Sequence, residues 1–202
     1  MLGLGKELFD LLNAKQFVGN QIPVVYGAKG LSSTEIASIE EQLDFRLPED
    51  FVYLFQNLQD PGNVFFPWTN FKKEEYDARI ACVLQGIEFD IEMAGLWLPR
   101  WGVKPEEKLS ALKIMREDFL TWPKLLPICA HRFLAAEPCR PGNPVFSIRQ
   151  TDIVYYGANL AQYLMNEFMN RGGRNFSPPE DVKRIDVWSD FVESFGKYFH
   201  SS

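Results

Sequence analysis

The sequence predicts an α+β fold: a single antiparallel β-sheet flanked by several α-helices. Three observations predict it. Residues 31–58 write two short helices, each with its own start signal. Residues 125–157 hold four short apolar runs, with links between them shorter than the dozen or more residues a parallel return requires. Residues 187–199 place Val187, Trp188, Phe191, Val192, Phe195, Tyr198 and Phe199 at spacings of three and four, the stripe of an amphipathic helix. Consecutive strands with helices packed around them make an α+β domain.

Residues 6–18 predict a short amphipathic helix with Leu8, Leu11 and Leu12 on one side, and Ile22–Tyr26 reads as extended. Ser32 and Glu35 then form a capping box, each side chain satisfying a backbone N–H at the helix start. Leu31 and Ile36 are placed as its hydrophobic staple, and Ile36, Ile39 and Leu43 make the apolar stripe. Pro48 opens the next helix at a position that needs no N–H donor. Glu49 and Asp50 suit the positive end of its dipole, and Phe51, Leu54, Phe55 and Leu58 form its inner face.

Asp60-Pro-Gly-Asn63 is a turn, and Val64–Phe66 is a candidate first strand. A helix is expected over 74–84, then a half-buried strand over 87–92, where apolar and acidic residues alternate. A helix follows over 105–120. The sheet runs are 125–129, 132–134, 145–149 and 153–155, and a further helix covers 159–170. The expected organisation is an N-terminal helix and link (1–30), one main domain (31–170), and a C-terminal loop and amphipathic helix (171–202) packed on it or on a partner.

The 202 residues are 46% hydrophobic and 14% aromatic, enough for one substantial core. No apolar run is long enough for a membrane span, and the first residues lack the basic start and apolar stretch of a signal peptide. Three cysteines, an odd number without paired spacing, suit a reducing compartment, so a cytoplasmic location is expected. A net charge of −6 argues against direct nucleic-acid binding, which needs a basic footprint. Residues 35–60 hold seven acidic residues and one basic, so that window carries the whole excess. Such a window steers toward a basic protein partner, or is simply a solvated face.

Residues 31–58, with the Leu47-Pro48-Glu49-Asp50-Phe51 step, resemble the N-terminal signature of the SMI1/KNR4 family, also called the SUKH superfamily. Gly86–Glu92 leading into Leu96-Trp-Leu-Pro-Arg-Trp-Gly102 is similar to the family's aspartate-bearing strand and Trp-rich turn. Residues 125–133 and 142–157 look like a strand pair found in bacterial members, and the matches run in order from about residue 31 to 168. The resemblance implies an SMI1/KNR4-like scaffold with Leu47, Pro48, Asp90, Trp97, Trp101 and Gly157 as its structural signature. It implies a binding protein, not an enzyme: a bacterial immunity protein that caps a cognate toxin of nuclease or deaminase class. An intracellular scaffold or regulatory module is the alternative, and a hydrolase a remote one. The expected partner contacts are Glu40, Glu41, Asp44, Glu88, Glu92 and Tyr156; a dimer through the last helix is left open.

The residues themselves admit other chemistry. Cys129, His131 and Cys139 offer three ligands for zinc, yet their spacing fits no familiar site and a fourth ligand is missing. A Cys–His nucleophile pair lacks an orienting carboxylate or amide. Glu88, Asp90 and Glu92 on one strand face would form a row of carboxylates, open to structural, partner-binding or hydrolytic use. The family resemblance implies instead that Asp90 hydrogen-bonds into the Trp97–Trp101 turn. No phosphate-binding glycine loop is present, and neither cofactor nor metal is expected.

Overall fold

The computed structural model describes residues 25–26, 30–59, 64–169 and 180–193. The elements are β1 (Val25–Tyr26), α1 (Ser33–Leu43), α2 (Glu49–Gln56), β2 (Leu58–Gln59), α3 (Lys73–Met93) and α4 (Lys108–Phe119). They continue with β3 (Leu125–Cys129), β4 (Arg132–Ala135), β5 (Val145–Arg149), β6 (Asp152–Gly157), α5 (Leu160–Leu164) and α6 (Trp188–Glu193). The fold is α+β. Strands β3 to β6 form an antiparallel meander in sequence order, and β1 pairs with β2 in a separate two-stranded ladder.

Side chains alternate across the meander, as a strand's period of two requires, and divide the core in two. On one face Leu126, Ile128, Leu134 and Val145 pack against Ile39 of α1, Phe51 and Phe55 of α2 and Leu164 of α5. On the other, Leu125, Phe133, Phe146 and Ile148 meet Ile87 of α3, Met115 of α4 and Phe191 of α6. Helix α3 reaches both cores, contributing Tyr76 to the first and Val83, Ile87 and Ile91 to the second.

Most of the sheet forms where the sequence places it: 125–129 and 145–149 match, and 132–134 and 153–155 gain flanking residues. The capping box is present, with Glu35 N–H donating to Ser32 Oγ and Ser32 N–H to Glu35 Oε2. Pro48 is the residue before α2 and not its first helical residue; its carbonyl accepts Val52 N–H at 3.0 Å. Val64–Phe66 makes no strand, although Phe66 N–H donates to Ile128 O at 2.7 Å along the outer edge of β3. Of the helix expected over 159–170, Asn159 is the cap, and five α-helical residues give way to a π-helical turn, Met165–Met169.

The clearest correction is the strand expected over 87–92, which is the last third of the 21-residue helix α3. Tyr76, Ile80, Val83, Ile87 and Ile91 recur at helical spacing, and four of the five are buried. That stripe outweighs the local alternation, whose middle apolar member, Phe89, is left 49% exposed. Mid-helix Gly86 has a packing reason: a Cβ there would lie 2.9 Å from Gln150 Cα in the β5–β6 turn.

The described part of the last helix docks on its own domain. Trp188 meets Trp122 edge-on at 5.1 Å and its indole N–H donates to Pro123 O at 2.8 Å. Phe195, Tyr198 and Phe199, the expected helix over 6–18 and the 60–63 turn lie outside the described residues.

Candidate functional site

The C-terminal end of α1 gathers three of the expected contact residues. Glu40, Glu41 and Asp44 line one open hollow of about 430 Å³ with Ala37, Phe45 and Arg46. They are not equivalent. Glu40 is spent internally: Oε1 accepts Leu47 N–H at 2.9 Å and Oε2 accepts Arg46, so it braces the α1–α2 link. Glu41 and Asp44 are exposed and form no ion pair among the described residues. Asp44 caps the helix in the left-handed conformation (φ 60°), and the last turn holds no basic residue. Negative charge at a helix C-terminus opposes the dipole, at about 0.3–1 kcal/mol per charge. These carboxylates do not serve α1 itself.

The row of carboxylates on α3 is taken apart by the helix. Residues 88 and 92 share a face, and 90 points away from it, because a helix advances 100° per residue. Glu88 pairs with Arg116 and Glu92 with Lys108 at 3.1 Å, tying α3 to α4. Asp90 is buried, and its Oδ2 accepts both the N–H and the hydroxyl of Thr151. The three carboxylates therefore do not converge. The expected bond from Asp90 into the Trp97–Trp101 turn is not made among the described residues: the carboxylate goes to Thr151, and the Asp90 carbonyl accepts Leu96 N–H at 3.1 Å, one residue short of that turn.

Trp97 and Trp101 are buried against each other, ring centroids 5.0 Å apart, and are core. Trp97 donates to Gly102 O, while Trp101 and Trp122 both donate to Asp118 Oδ2. Tyr156 is half-buried and covered: the Arg132 guanidinium lies 3.7 Å above its ring. Arg132 also bonds Ser147 Oγ at 2.8 Å and Glu167, and meets His131. His131 sits in the β3–β4 turn, and burial, reinforced by Arg132 and Arg149, holds its imidazole down at about 4. Gly157 is a site of close approach, where a Cβ would meet Tyr163 N at 2.6 Å.

Sequence reasoning missed Asp50. It is buried at the start of α2, where Oδ2 accepts Gly142 N–H at 2.9 Å and so holds the β4–β5 loop. Burial raises its carboxyl above the ordinary range despite those N–H donors and nearby Lys183. Asp50 is therefore no part of the acidic surface. Cys82 and Cys139 are exposed. Among the described residues no group of three His, Cys, Asp or Glu side chains is placed to hold a metal ion.

Beside the acidic hollow runs an apolar groove of about 370 Å³ between the end of α1, α3, the end of α4 and α6. Leu43, Phe45, Tyr76, Ile80, Trp122 and Trp188 border it, with Lys73, Asp77 and Lys124 at its margins. Phe45 lines both features. No signal in the sequence joins them, since the groove is assembled from four separated elements.

No protein-family model, curated protein or solved structure matches the chain. No helix among the described residues is long and apolar enough to cross a membrane.

Proposed function

We propose that this chain is a non-catalytic binding protein of the SMI1/KNR4 (SUKH) type, an immunity protein that neutralises a basic toxin domain in the cytoplasm by capping it. The observation that carries the reading is the pair Glu41 and Asp44: exposed, uncompensated among the described residues, and set where the helix dipole opposes them. Negative charge kept against local stability is accounted for by a basic partner, because complementary charge accelerates encounter and orients docking. The α+β class and the Leu47–Phe51 step support that family, whereas the segment likened to its aspartate-bearing strand is helix and departs from it. Glu40, Glu88, Glu92 and Tyr156 contribute framing and not contact, since each is engaged within the chain.

The test is capture of a toxin-like domain, sought first among the products of the neighbouring genes, at low and at high salt. The expected result is a complex that weakens steeply with salt and with Glu41→Lys/Asp44→Lys. Absence of a complex, or one indifferent to salt and to both substitutions, rejects charge-guided capping.

A further inference from the structure

We propose that the apolar groove and the acidic end of α1 are a single docking surface, built for a partner segment that presents one large aromatic or aliphatic side chain beside two basic ones. The inference rests on the binding-protein reading and specifies the chemistry of the partner.

The groove offers hydrocarbon. The polar atoms of its aromatic walls are already committed: Tyr76 hydroxyl donates to Leu125 O, Trp122 indole to Asp118, and Trp188 indole to Pro123 O. Its two marginal charges on α3, Lys73 and Asp77, neutralise each other, and Lys124 is turned onto Leu120 O. Leu120 stands at the rim 72% exposed, an apolar side chain placed in water at the mouth of an apolar recess. At about 370 Å³ the recess suits a single large anchor, the kind of buried aromatic or aliphatic group that dominates interface energetics.

Charge complementarity selects the neighbouring residues of that segment. Phe45 forms a shared wall, and immediately beyond it stand Glu41 and Asp44. Asp44, left-handed at φ 60°, stands in the chain between Leu43 and Phe45, both of which line the groove. An anchor seated in the groove thus brings the residues beside it to two carboxylates that have no counter-ion among the described residues. Lysine or arginine fits there; an acidic flank is repelled.

The experiment uses the full chain labelled with ¹⁵N and three synthetic peptides: Lys-Lys-Ala-Trp-Leu, its Glu-Glu-Ala-Trp-Leu twin, and Lys-Lys-Ala-Ala-Ala. The chain has five tryptophans, of which Trp122 and Trp188 line the groove, so their indole signals report its occupancy. The Lys-Trp peptide is expected to move those two signals and leave Trp68, Trp97 and Trp101 in place. Glu41→Lys/Asp44→Lys is expected to weaken it on the order of tenfold at low salt, as loss of two exposed pairs allows. Leu120→Lys is expected to weaken it as well. An equal response to the Glu twin or the Ala peptide, or none to any, overturns the proposal. So does movement of the two signals on dilution, which assigns the groove to a second copy, or on deletion of residues 194–202, which assigns it to the chain's own end. Peptide binding without capture of a toxin domain upholds the surface and discards the toxin reading; capture with a silent groove does the reverse.

Discussion

Asp90 Oδ2 accepts two hydrogen bonds from Thr151, at 3.0 Å from the backbone N–H and 2.5 Å from the hydroxyl, across 61 residues of sequence. The pair is buried and pins α3 to the β5–β6 turn, whose Gln150 is in the left-handed conformation. Removing the carboxylate orphans a buried N–H. Asp90→Ala is expected to destabilise by about 3 kcal/mol and Thr151→Ala by about 1 kcal/mol. Urea denaturation of both and of the double variant checks this, and a coupling near zero would remove the pin.

Gly157 has no room for a side chain, because the Tyr163 backbone N would lie 2.6 Å from its Cβ. Backbone, unlike a flexible side-chain tip, does not yield without shifting α5. Gly157→Ala is expected to lower stability by about 1–3 kcal/mol, read as a fall in the thermal midpoint.

Glu40 and Glu41 are neighbours with opposite consequences. Glu40→Ala removes the acceptor of Leu47 N–H and is expected to destabilise by about 1 kcal/mol. Glu41→Lys, at the negative end of α1, is expected to stabilise by about 0.3–1 kcal/mol while weakening capture of the basic partner. Paired denaturation and binding measurements separate the two; a Glu41→Lys chain that loses stability would contradict the dipole argument.

His131 is expected to resist protonation. A histidine in the unfolded chain takes up its proton near 6.5, and in the fold burial and the Arg132 and Arg149 charges delay it to about 4. Between those values the unfolded state binds more protons, so stability falls as pH falls through that window. His131→Asn is expected to lose less stability between pH 7 and pH 4.5. An NMR titration that finds the His131 imidazole charged at pH 5.5 would refute the assignment.

Asp50 runs the other way. Its carboxyl is raised in the fold, so its contribution is fully present below the unfolded value of 3.8 and is lost as pH rises through the folded one. Asp50→Asn keeps an acceptor for Gly142 N–H without a buried charge. It is expected to be as stable as the parent at pH 7 or more so, and to flatten that part of the pH profile.

Elements with local signals were legible. The capping box at Ser32 and Glu35, the Leu47–Pro48 boundary and the four strands of the meander are set by residues a few positions apart, so the sequence determines them alone. Residues 87–92 were not legible in this way. Their alternation suits a strand, and only the continuing stripe from Tyr76, buried against a sheet that forms later in the chain, makes them helix. The acidic window was visible as composition, yet only packing separates buried Asp50 and braced Glu40 from exposed Glu41 and Asp44. The groove beside them was decided by tertiary structure entirely. A charge is a property of one residue and can be read in order, whereas a concave apolar surface exists only once distant elements have been brought together.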